Sequence, residues 1–143
     1  MLFRSKIYTT SFIGPPTAEY QTMFELAADG YRQIVAALKP GVCGRDLASV
    51  LAGGGVKGGY KLMSFITGWS TVNTRPVLFS QRIEKADYEF PLQPGYCLNV
   101  GGWVTSEDQM RGVWVGDTVA ITDSGVRRFH TSTVDNLDAN ILG

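Results

Sequence analysis

Between Tyr20 and Leu38 the apolar residues return every third or fourth place: Tyr20, Met23, Phe24, Ala27, Tyr31, Ile34, Val35 and Leu38. That spacing predicts one amphipathic helix of about five turns. Thr17 is placed to cap its start, and Lys39-Pro40-Gly41 stops it. A shorter helix, roughly Arg45 to Ala52, puts Leu47, Val50 and Leu51 on one face. Before both, Ile7 to Ile13 reads as a β-like run closed by Gly14-Pro15-Pro16. From Tyr60 the pattern changes to short strands: "YKLMSFITGW", "RPVLFSQRI", "GYCLNVGGWVT" and "RGVWVGDTVAITDSGVRRF", punctuated by Pro91 and Pro94-Gly95. The order of strand, two helices, then four or five strands predicts an α+β fold, with two helices packed on one face of a curved, mostly antiparallel sheet. No repeat or linker divides the chain, so residues 1–143 read as a single domain.

One position breaks this pattern. In the last segment Val113, Val115, Val119 and Ile121 alternate as in a half-buried strand before the turn Asp123-Ser124-Gly125. Gly116 sits mid-strand, where it weakens pairing and offers no side chain to pack. The other glycine-rich stretch, Gly53 to Gly59, lacks the spacing of a phosphate-binding loop and reads as a plain loop.

Composition narrows the functional classes. The chain of 143 residues is 44% apolar and 18% charged, which suits a soluble domain with its own core. Thirteen basic and thirteen acidic residues balance, and the basic ones are scattered apart from Arg127-Arg128, which argues against nucleic acid or an anionic membrane as partner. No apolar run is long enough for a signal peptide or a membrane span, so the expected location is cytoplasmic. Cys43 and Cys97 lie far apart without paired spacing and read as reduced packing residues. Glu84, Asp87, Glu89, Glu107 and Asp108 read as solvated loop and turn residues.

Four stretches in order carry a resemblance: "FIGPPTAEYQTMFELAADGYRQIVAALKPGV", "ITGWS", "LQPGYCLNVGGWV" and "GVWVGDTVAITDSGVRRF". Together they resemble the C-terminal half of the pita-bread family of creatinase, prolidase, aminopeptidase P and methionine aminopeptidase. The matching family landmarks are a G-P-T-x-E helix start, a K-P-G helix end, a G-H-G loop, a P-G strand ending in a glutamate and an E-D-T strand. The resemblance implies half of a pita-bread fold. It also implies a dinuclear metal site of two aspartates, one histidine and two glutamates that activates a bridging water.

Those ligand positions are altered here. The loop histidine corresponds to Trp69, whose indole nitrogen is a donor and cannot ligate a cation. The two glutamates fall on Gly101 and Gly116, and the aspartate pair would come from a hairpin at or before "FRSKIYTTSF", which holds no acidic residue. The expected metal and cofactor complement is therefore none. Creatinase works without metal through the loop histidine, and Trp69 closes that route too. His130, the single histidine, is expected at the surface or in packing away from the site. Ser64, Ser70, Thr71 and Cys97 have no histidine placed by a motif to activate them, so no catalytic residue is assigned.

By the positions that the resemblance implies, what remains is an emptied cavity with Trp69, Asn73, Arg75, Asn99, Trp103, Trp114 and Asp117 on or beside it. The resemblance sets "NTRP", residues 73 to 76, where the family has an H-E-x-P segment that handles substrate, which implies that Arg75 grips a carboxylate. Whether the tryptophans line a ligand pocket or only fill the vacated space is open at this stage. Three functions follow: a binding or assembly module without the metal site, an enzyme using the emptied pocket for non-metal chemistry on a small carboxylated substrate, or an Xaa-Pro-peptidase-like half needing its other half. Half a pita bread exposes sheet edge, so the expected partner is a second copy of the chain, or else a separately encoded first half. The expected contacts are Leu2, Phe3, Ile7, Tyr8, Val77, Leu78 and Phe79.

Overall fold

A computed structural model describes residues 5–53, 55–69, 73–80, 82–83, 85–130 and 141–142, with the side chains of 73, 82, 141 and 142 outside the description. Its elements in order are β1 (Ile7–Tyr8), β2 (Phe12–Ile13), α1 (Ala18–Ala37), α2 (Gly44–Leu51), β3 (Gly55–Lys57), β4 (Tyr60–Trp69), β5 (Asn73–Phe79), β6 (Arg82–Ile83), α3 (Lys85–Tyr88), β7 (Cys97–Thr105), β8 (Gly112–Thr122), β9 (Gly125–Arg128) and β10 (Ile141–Leu142). The fold is α+β, with helices packed on an open antiparallel sheet.

The main sheet runs β1-β8-β7-β4-β5-β6, with β3 on β4 and β9 on β8. β8 is the hub. It pairs with β7 along one edge, from Gly112 to Ala120, while β1 and β9 share the other edge. The edge that the sequence left exposed is thus partly covered by the chain's own first strand. β2 pairs in parallel with β10 as a separate ribbon.

α1 begins at Thr17, whose Oγ1 accepts the Tyr20 N–H at 3.5 Å, and buries Met23, Phe24, Ala27, Ala28, Tyr31 and Ile34. These meet Ile66, Leu98, Val100, Val104, Val113, Val115, Val119 and Ile121, the alternate residues of β4, β7 and β8. Period 3.6 on the helix and period 2 on the strands thus produce one aliphatic core. Gly41, at φ 83, turns the chain out of the α1 exit, where its N–H is held by the Leu92 carbonyl at 2.8 Å.

Several sequence readings change, and the run read from Ile7 to Ile13 is two strands, β1 and β2, in separate sheets. The segment read as a solvated loop contains α3, in which Asp87 is buried. The start of α2 presses on α3 so closely that a Cβ on Gly44 would stand 2.4 Å from the Asp87 carbonyl oxygen. Glu89 is exposed and pairs with Arg45 at 3.0 Å, while Glu84 lies outside the described residues. No described helix is long and apolar enough to cross a membrane.

Candidate functional site

Residues directly opposite in neighbouring antiparallel strands point to the same face. On the face away from α1 this gives three rows. Met63, Trp103 and Trp114 form the first. Phe65, Gly101, Gly116 and Tyr8 form the second, crossing four strands. Thr67, Asn99 and Thr118 form the third, with the Lys6 N–H donating to Thr118 Oγ1 at 2.7 Å.

The second row answers why a glycine stands mid-strand. Tyr8 and Phe65 lie at its two ends, and their rings meet edge to face over the two glycines, with centroids 5.6 Å apart at 89°. Trp114 stacks on Tyr8 at 4.8 Å and Trp103 leans on Trp114 at 5.3 Å. A Cβ on Gly116 would stand 2.6 Å from the Val100 carbonyl oxygen and 2.9 Å from the Tyr8 ring. One on Gly101 would stand 2.5 Å from the Val115 carbonyl oxygen and 3.2 Å from the Phe65 ring. The glycines permit close approach of strand and ring, so the space expected to be a cavity at this row is taken up by aromatic side chains.

The third row is polar. Thr118 Oγ1 lies 2.9 Å from Asn99 Oδ1, and Asn99 Nδ2 is buried without a hydrogen-bond partner. The Lys6 ammonium crosses this row to sit 4.2 Å from the centre of the Trp69 ring, a cation–π contact.

Asp117 belongs to the opposite face. It stands across from Val100 on β7 and Ile7 on β1 and is fully buried. Its Oδ2 accepts Arg128 Nε at 3.4 Å, and Arg128 lies 5.6 Å from the Tyr31 ring centre on α1. Its Oδ1 is hydrogen-bonded to His130 Nδ1, and His130 Nε2 lies 3.1 Å from Ser5 Oγ. With a carboxylate at Asp117 the Nδ1 proton is donated to it; in the neutral imidazole Nε2 then accepts from the serine hydroxyl, and in the imidazolium it donates. His130, expected away from the site residues, is thus in contact with one of them. Ser5 was missed entirely.

The sequence model of metallopeptidase family M24 matches residues 3–123. The chain belongs to metallopeptidase family M24. No curated protein sequence matches it. Among solved structures, the prolidase from Pyrococcus horikoshii OT3 superposes with a TM-score of 0.70 at 23% identity, over 94% of this chain and 38% of the prolidase. The X-Pro aminopeptidase from Thermotoga maritima MSB8 gives 0.70 at 18% identity over 90% and 36%, and the dipeptidase PepE from Mycobacterium ulcerans gives 0.62 at 18% over 89% and 33%. The M24 chain therefore has a partial pita-bread fold and spans about a third of the length of these relatives, 33–38%.

The dinuclear metal site that the resemblance implies does not fit the residues of this M24 chain. Trp69 donates only, and the two glutamate positions hold glycines packed under aromatic rings. Among the described residues no group of three or more His, Cys, Asp or Glu is placed to hold a metal ion.

The seven residues expected around a pocket separate into groups. Trp69, Asn99, Trp103 and Trp114 share the open face, while Asp117 lies on the other. Arg75 is 3.7 Å from the buried Asp87, an ion pair within the chain that leaves the Arg75 side chain 54% exposed. Asn73 opens β5 opposite Trp69, and its side chain lies outside the described residues. Of the nucleophile candidates, Ser64 is buried, Cys97 is a half-buried free thiol, and Ser70 and Thr71 lie outside the described residues. Tyr8, Phe65 and Lys6 are the site residues that sequence reasoning did not assign to it.

Proposed function

We propose that this M24 chain is a degenerate, metallopeptidase-like assembly module whose open sheet face docks a second copy of itself. The supporting observation is the row Phe65, Gly101, Gly116 and Tyr8, in which aromatic rings occupy the positions of the metal-binding side chains. A small-molecule pocket suits this face less well, because its centre is filled. Trp114 is 42% exposed at the rim of the aromatic cluster, an apolar surface that water covers poorly. The family resemblance implies two similar halves about an approximate twofold axis, and a second copy is the partner that repeats that arrangement.

Leu78, earlier expected in the interface, is fully buried in the chain's own core, and Leu2 and Phe3 lie outside the described residues. Tyr8 is committed to the sheet through Gly116. The contact therefore centres on Trp103 and Trp114. Sedimentation at micromolar concentration is expected to give a dimer burying about 2,000 Å², and Trp114→Glu a folded monomer. Elemental analysis of the same preparation is expected to find no stoichiometric transition metal. A wild-type monomer that stays folded, or a dimer indifferent to Trp114→Glu, removes the proposal; bound metal restores the peptidase-like half as the better account.

A further inference from the structure

The edge of β8 opposite the aromatic face carries a second arrangement that neither the peptidase fold nor the assembly reading uses. Where β9 leaves this edge and β1 joins it, three side chains from distant parts of the chain line up. Ser5 Oγ is 3.1 Å from His130 Nε2, and His130 Nδ1 is hydrogen-bonded to Asp117 Oδ1. Exposure rises along the series: Asp117 is fully buried, the His130 side chain is 26% exposed, and Ser5 is open to solvent. Arg128 Nε, 3.4 Å from Asp117 Oδ2, sets a cation beside the buried carboxyl group. The order is that of a nucleophile, a base and a group that orients the base, recognised by geometry and not by position in the chain.

We propose that Ser5 is a nucleophile activated by His130, with Asp117 as positioning residue, and that its substrates are acyl esters. As the bond from Ser5 Oγ to the acyl carbon forms, the hydroxyl proton passes to His130 Nε2. The acyl carbon–oxygen bond then breaks, and the departing alkoxide takes that proton as alcohol. A water attacks the acyl-serine in turn, giving its proton to His130, which returns it to Ser5 Oγ as the carboxylic acid leaves. Asp117 holds the imidazole with Nε2 toward Ser5 and stabilises the imidazolium formed in each half. In many serine enzymes the amide after the nucleophile helps to bind the oxyanion. Here the Lys6 N–H is engaged by Thr118 Oγ1 at 2.7 Å, so the acceleration comes from the base. General-base catalysis of this kind is worth about 100-fold or more.

The test uses the full chain and an alkyl fluorophosphonate, which modifies activated serines and spares lysine, so that Ser5 is read separately from Lys6. Peptide mapping is expected to place one phosphonyl group on Ser5, absent in Ser5→Ala, with His130→Gln reducing the labelling rate about 100-fold. Asp117→Asn is expected to lower the maximal labelling rate while leaving the half-saturating probe concentration in place, which a loss of packing alone would not do. Release of nitrophenolate from p-nitrophenyl acetate should follow the same order. If the wild-type chain leaves Ser5 unmodified, or labels it no faster than other exposed serines such as Ser124, the three residues are only a fastener between strands. The wild-type map decides this even where a variant fails to fold.

Discussion

The two faces of the β7–β8 pair are closed in opposite ways. On one, Val100, Val104, Val113, Val115 and Val119 project toward α1 and are covered by a separate element. On the other, the sheet covers itself: Tyr8 and Phe65 reach over Gly101 and Gly116 from neighbouring strands. A face covered by a helix tolerates side chains that fit the gap between layers. A face covered by its own flanking rings requires that nothing project at the centre. Packing alone therefore requires glycine at 101 and 116.

The strongest challenge to that contrast is Gly116→Glu, the side chain that the resemblance implies for this position. The new Cβ meets backbone at 2.6 Å, and the carboxylate must enter an aromatic cluster. The expected cost is more than about 4 kcal/mol, enough to unfold a marginal domain. Chemical denaturation checks it. If the variant is as stable as the parent, the rings move aside easily and the face is a latent pocket.

Much of the architecture was legible in sequence because it depends on local periodicity. The α1 stripe from Tyr20 to Leu38, its Thr17 cap and β4 follow from spacing alone, and the structure has them within a residue or two, whereas "RPVLFSQRI" divides into the antiparallel pair β5 and β6. Phe65 over Gly101 was not legible, because it requires the β4–β7 register, which no local pattern encodes. Asp87 read as solvated because its burial depends on α2 packing over α3. His130 could have been found. The turn at Asp123-Ser124-Gly125 sets Arg128 opposite Val119, and two further steps along each chain bring His130 level with Asp117. Ser5 could not, since it reaches His130 only through the β1–β8 pairing.

Phe65→Ala sharpens the contrast from the ring side. Phe65 is buried and touches Tyr8, Phe79, Trp103 and Trp114. Its truncation should cost about 3 kcal/mol and should loosen Tyr8, read as greater proteolysis of the N-terminal strand. An equal loss of protection across α1 would mean that the two faces are not independent layers.

Among the helices the effects should be smaller. Arg75→Ala leaves Asp87 buried without its cation, but Arg75 is itself half exposed and solvent weakens the pair. A loss of about 1–2 kcal/mol is expected, with Asp87→Asn recovering part of it in the double variant. If Arg75→Ala is silent in stability yet changes the binding of small carboxylates, Arg75 is a ligand clamp after all.

The smallest effect is a dependence on acid, and its sign follows from two carboxylates at element ends. At the start of α2, Asp46 accepts the Cys43 N–H at 3.0 Å, and this backbone hydrogen bond, with the Cys43 thiol, holds its pKa below the ordinary aspartate value. In the turn between β7 and β8, Asp108 is lowered by the Ser106 hydroxyl and then by the Met110 N–H. A depressed folded-state pKa adds stability that is fully present above the unfolded value of about 3.9 and is lost as pH falls through the folded value. The melting temperature should therefore decline from about pH 5 downward, and Asp46→Asn with Asp108→Asn should begin slightly lower at neutral pH and decline less. Both groups are exposed, so the difference is small and best read as a slope. Parallel slopes for parent and double variant would place the acid sensitivity elsewhere.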